Sequence, residues 1–100
     1  MRLSPFQIQA IRDSAMTNFG LNAHVWLFGS RARDHEKGGD IDLYIEVQDQ
    51  SDLATCKLQF LRDLHQKLGY QKIDVVLRSI DSAVNLPVYE MAKQTGVQLS

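Results

Sequence analysis

The chain has 100 residues, 44% of them apolar and 23% charged, with a formal net charge of −1. That length suits one domain, residues 1–100, of ordinary globular composition, and its near-neutral charge carries no mark of a direct nucleic-acid or membrane-surface binder. Its single cysteine, Cys56, excludes an internal disulfide and fits a reducing compartment; with no signal-like run and no stretch of membrane-spanning length, a cytoplasmic location is expected.

Ser4-Pro5-Phe6-Gln7 predicts a helix start, with Ser4 as cap, Pro5 at the first helical position and Gln7 closing a capping box. Ile8, Ile11, Ala15 and Phe19 follow at helical spacing as a core stripe, and Gly20 supplies a stop. A strand over 24–28 comes next. His24 is expected at its edge and Trp26 against the first helix. Gly29-Ser30 opens a polar loop in which Arg31-Ala32-Arg33 start a short helical turn. A second strand opens with Asp40-Ile41-Asp42 and continues apolar.

Residues 48–52 read as a polar turn with several capping candidates. A long helix follows, with Leu53, Phe60, Leu61, Leu64 and Leu68 on one face, Asp63 and Lys67 as an i,i+4 pair, and Gly69 at its end. Cys56 lies on it as a partly buried small hydrophobe. Residues 72–77 form a β-branched third strand interrupted by Asp74, and 84–94 a last helix with Pro87 in its first turn. Helix, strand, strand, helix, strand, helix is an α/β (α+β) domain whose small mixed or antiparallel sheet is covered by helices.

Chemistry concentrates between Gly29 and Val47. Alternation along a strand points Asp40 and Asp42 to one face and Ile41, Leu43, Ile45 and Val47 to the other. Two same-face carboxylates repel unless a cation lies between them. Gly29 lets backbone approach a ligand closely, Ser30 adds a hydroxyl, and free amides with Arg31 and Arg33 nearby suit a triphosphate. A solvated-loop role suits both arginines equally well. The alternative reading has Asp40 capping or ending the strand, Asp42 facing solvent, and Asp74 pairing with Lys72 or Arg78. Tyr44 and Glu46 share the face of the aspartates, as a packing or rim residue and a solvated one; His35 is expected to be solvated.

Gly29-Ser30, a short loop, then Asp40-Ile41-Asp42 and an apolar strand resemble the signature of polymerase β-type nucleotidyltransferases. Gly-Ser-Arg-Ala-Arg followed by Asp-Ile-Asp-Leu is most similar to the minimal, single-domain MntA-like members. The resemblance runs along the whole chain and implies a nucleotidyltransferase-like fold. It implies that Asp40, Asp42 and Asp74 bind divalent metal, two Mg²⁺ ions with Mn²⁺ as an alternative, and that Gly29 and Ser30 hold the nucleotide phosphates. It also implies an antitoxin that transfers AMP from ATP to a tyrosine of a HEPN-type ribonuclease toxin from an adjacent gene, forming a hetero-oligomer. One departure is visible: nine residues, where the family has ten, separate Ser30 from Asp40, a change that falls in a loop containing Gly38-Gly39.

Two readings compete with protein adenylylation. A module that neutralises or scaffolds its partner by contact alone would keep the carboxylates without using them. Transfer to a small molecule such as an aminoglycoside would need a pocket shared by two copies.

Overall fold

The structure, a computed structural model, describes residues 1–33, 39–48 and 52–100. His35 and Gly38, and the capping candidates at 49–51, lie outside the described residues. Helix α1 (Pro5–Phe19) starts as its sequence predicts: the Ser4 hydroxyl accepts from the Gln7 amide, and the Gln7 side chain accepts from the Ser4 amide. Strand β1 (His24–Phe28) runs into a 3₁₀ turn (Gly29–Ala32), and β2 (Ile41–Val47) returns antiparallel to β1. Then come α2 (Leu53–Leu68), β3 (Ile73–Ser79), α3 (Pro87–Thr95) and β4 (Val97–Gln98). The sheet order is β3-β2-β1-β4, with β2 and β3 parallel and the other pairs antiparallel. Among the described residues, three helices and a mixed four-stranded sheet make the α+β architecture expected of a nucleotidyltransferase-like fold.

Strand alternation sorts the side chains onto two faces. Val25, Leu27, Leu43, Ile45, Ile73 and Val75 join Ile11, Ala15, Phe19, Phe60 and Leu64 in the main core beneath α1 and α2. Phe19 and Phe60 cross at a ring separation of 5.3 Å where the two helices meet. The α1–α2 contact is also polar: Asn18 Nδ2 donates to Asp63 Oδ2 at 2.8 Å, and Lys67 Nζ donates to Ser14 Oγ at 3.1 Å. Asp63 and Lys67 thus reach across to α1 instead of pairing along α2: Lys67 meets the buried Ser14 hydroxyl, which requires a partner, and Asp63 accepts from Asn18.

The other face carries a second cluster, in which Trp26 and Tyr44 pack against Tyr89 and Ala92 of α3. Trp26 therefore lies against α3 and not α1: its neighbours Val25 and Leu27 point into the main core, so period-two alternation sends its indole to the opposite side. Glu46, expected in solvent, is buried. It accepts from the Tyr44 hydroxyl at 2.7 Å, with Lys93 Nζ at 3.2 Å and Arg78 Nη1 at 3.9 Å. Burial pushes the Glu46 carboxyl up, but the bonds from Tyr44 and Lys93 and the charges of Lys93 and Arg78 outweigh it and hold the pKa below the usual value. Burial and the Glu46 bond push the Tyr44 hydroxyl well above the ordinary tyrosine range.

Three boundaries also differ from expectation. Asp40 precedes β2, α3 begins at Pro87 and not 84, and β3 extends to Ser79. Asp52, at the start of α2, has φ +64° and makes no side-chain cap.

Candidate active site

The acidic residues gather where β1 ends and β2 and β3 begin. Parallel register sets Asp42 directly opposite Asp74, and antiparallel register sets Phe28 opposite Asp42 on the other side. The carboxylates of β2 and β3 therefore leave the sheet on one face, beside the point where β1 gives way to the Gly29 turn. Asp42 is half-buried and Asp74 exposed. Burial holds the Asp42 carboxyl above the usual aspartate pKa, the charges of Asp74 and then Asp40 push it further, and Lys72 partly offsets them. Asp40 lies 3.4 Å from Lys72 Nζ; with their side chains 44% and 70% exposed, that pair is a loose surface contact. Asp74 has neither of its anticipated partners, since Lys72 faces Asp40 and Arg78 faces Glu46.

Gly29 packs against Asp42. Its φ is +75°, and a Cβ built on it would lie 2.4 Å from Asp42 Oδ2. Only glycine meets both demands, a left-handed backbone and a carboxylate pressed onto the Cα. Gly39, at the end of the shortened loop, is held as tightly: its φ is +93°, and a Cβ there would stand 2.0 Å from Ser30 Oγ. The Ser30 hydroxyl thus lies on the Cα of the residue that leads into Asp40. The signal for this was the position of Gly39 immediately before the acidic strand.

The two turn arginines take different places. Arg31 donates from Nε to the Gly39 carbonyl at 3.2 Å and from Nη1 to the Arg2 carbonyl at 3.1 Å. Arg33 is exposed; its amide closes the turn onto Ser30 O at 3.1 Å and its carbonyl accepts from Arg2 Nε at 3.0 Å.

Among the described residues, no group of three or more His, Cys, Asp or Glu side chains forms a ready metal cage. Mg²⁺ does not require one: it is bound through one or two carboxylates together with substrate phosphates. Asp42 and Asp74 fit that pattern. They are hard oxygen donors in register, and a cation beside them would relieve the repulsion that raises the Asp42 pKa. Two surface pockets are lined by other residues. One, of about 280 Å³, includes Gln9, Arg12, His24 and Ser100; the other, of about 440 Å³, includes His65, Tyr70, Gln71 and Lys72. Neither is lined by the aspartates.

No helix among the described residues is long and apolar enough to cross a membrane. No curated protein and no solved structure matches the chain. The family model described as "Nucleotidyltransferase domain" matches residues 8–94, a span that holds the glycine turn, Asp40, Asp42 and Asp74, and, among the described elements, α2, all of α1 and α3 but their outer ends, and β1, β2 and β3. The chain is a member of the nucleotidyltransferase domain family, within the polymerase β-type superfamily, and nucleotidyl transfer is the reaction of that family.

Proposed function

We propose that this chain transfers AMP from ATP to the hydroxyl of a tyrosine on a HEPN-type ribonuclease toxin encoded by an adjacent gene, and thereby acts as its antitoxin. The observation that carries the catalytic part is the contact of Gly29 with Asp42 while Asp42 stands in register with Asp74. It joins a turn suited to phosphate and a carboxylate pair suited to divalent metal.

In this reading the turn after β1 receives the triphosphate. Gly29 has no side chain to hold it off, the amides of the turn donate to phosphate oxygens, and the Ser30 hydroxyl adds a donor. Asp42 and Asp74, with Asp40 beside them, would hold Mg²⁺ or Mn²⁺, which when bound neutralises phosphate charge and acidifies an acceptor hydroxyl. Asp74, the most exposed of the in-register pair, orients the tyrosine hydroxyl and accepts its proton. The tyrosine oxygen bonds to the α-phosphorus in line, and the bond from that phosphorus to the bridging oxygen breaks, releasing pyrophosphate. Positioning and charge neutralisation do most of the work.

A protein acceptor is supported by exposed apolar side chains: Ile80, Val84 and Leu86 in the segment between β3 and α3, and Met91 on α3. The test is incubation of the chain with ATP, Mg²⁺ and the neighbouring gene's product, followed by mass spectrometry of the partner. A tyrosine peptide heavier by one AMP group is expected with the wild type and not with Asp42→Asn. Neutralisation of an unmodified partner, persisting in Asp42→Asn, would establish contact-only inhibition instead.

A further inference from the structure

The nucleotide reading leaves one group of contacts without a role. Arg2 lies outside the span matched by the family model, yet it bonds to the turn and to the residue that closes it. Its amide donates to Arg31 O at 2.8 Å, its Nη2 to Ser30 O at 2.9 Å and its Nε to Arg33 O at 3.0 Å. Arg31 answers by donating from Nη1 to Arg2 O, and from Nε to Gly39 O. The Arg31 side chain and the Arg2 amide therefore join the two backbones, and the Arg2 side chain spans the carbonyls of Ser30 and Arg33, tying together the N-terminal segment, the 3₁₀ turn and the residue before Asp40.

We propose that Arg2 is a positioning residue for nucleotide binding: with Arg31 it forms a reciprocal clamp that aims the amides of the Gly29–Ala32 turn at the triphosphate. The reasoning starts from the peptide unit. In a trans peptide the C=O and the following N–H point in opposite directions. Holding Ser30 O toward Arg2 turns the Arg31 N–H away from it, and holding Arg31 O does the same for the Ala32 N–H. Ser30 O already accepts from the Arg33 amide that closes the turn, so the Arg2 guanidinium adds a second, charged donor there; Arg31 O is held by the Arg2 backbone amide, a bond that side-chain substitution leaves in place. The guanidinium charge also polarises the Ser30 carbonyl, which strengthens the Arg31 N–H at the other end of that peptide. A planar fork suits this work, because two of its nitrogens reach two carbonyls at once.

The proposal rests on the nucleotide reading of the turn, and two separate measurements on the full chain keep them distinguishable. Amide hydrogen exchange across residues 30–33, without nucleotide, reads the clamp alone; titration with ATP and Mg²⁺ reads its effect on binding. Arg2→Ala, which loses both guanidinium bonds, and Arg2→Lys, which loses the fork that spans two carbonyls, are both expected to speed exchange in this segment by about tenfold and to weaken ATP binding by about tenfold. In a transfer assay the change falls on KM more than on kcat. Exchange and affinity unchanged in Arg2→Ala would overturn the clamp. Full recovery of both in Arg2→Lys would overturn it too, since charge without the fork would then suffice. Faster exchange in a protein whose wild type does not bind ATP would keep the clamp, remove its role in positioning nucleotide, and refute the nucleotide reading.

Discussion

Replacing Gly29 with alanine probes the contact on which the site depends. The new Cβ would start 2.4 Å from Asp42 Oδ2, so that oxygen must retreat by about 0.6 Å to reach the 3.0 Å below which such contacts essentially never occur. A non-glycine residue at φ +75° costs about 1–2 kcal/mol, and driving the Asp42 side chain off its rotamer adds about 1 kcal/mol. The total, about 2–3 kcal/mol, lowers the melting temperature of a domain this size by roughly 10–20 °C. Displacement of the carboxylate by a large part of an ångström lowers transfer by about a hundredfold. A double-mutant cycle read by chemical denaturation separates the two parts: in an Asp42→Ala background the backbone cost persists and the contact cost disappears, giving a coupling of about 1 kcal/mol. Equal costs of Gly29→Ala in both backgrounds would refute the argument, because the added methyl would then not be meeting Asp42.

Further expectations concern charge and packing. Asp42→Asn should raise the melting temperature of the metal-free protein at neutral pH, since burial and the neighbouring aspartates disfavour the wild-type anion. Because the folded pKa is raised, that advantage is complete above it and closes as the pH falls toward the unfolded value near 3.8; an advantage that instead grew in acid would contradict the assignment. Glu46→Ala should cost about 2 kcal/mol by denaturant titration, since it leaves the buried Tyr44 hydroxyl without its acceptor. Ionised Glu46, whose folded pKa is lowered, stabilises the protein above the unfolded value of 4.5, and its contribution is lost as the pH falls through the folded pKa. The gap between wild type and Glu46→Gln should therefore vanish in acid. Gly39→Ala should loosen ATP binding by displacing the Ser30 hydroxyl, measured by titration with Mg²⁺ present.

Much of this arrangement can be read from residue types and their order. The capping box at Ser4 and Gln7 places α1, and period-two alternation places the aspartates opposite the apolar core residues, because both signals are local. Parallel register between Asp42 and Asp74 is not local; the pairing of β2 with β3 is set by the crossover through α2. Trp26 lies against α3 and not, as expected, against α1, because its alternation with Val25 and Leu27 sends it to the opposite face of the sheet. Glu46 looks like a solvated carboxylate until Arg78 and Lys93, which are distant in sequence, are brought to it by β3 and α3. β4 is two residues long and has no pattern to announce it. Arg2 and Gly39 matter through carbonyl and hydroxyl contacts that no composition or periodicity encodes.

The most direct measurement is titration of the chain with ATP, with and without Mg²⁺, comparing the wild type with Asp42→Asn and Asp74→Asn. Metal-dependent binding in the wild type, lost in both variants while their melting curves show an intact fold, is the predicted result. ATP binding that ignores Mg²⁺, or that survives both substitutions unchanged, would mean that the glycine turn and the paired aspartates do not form one site.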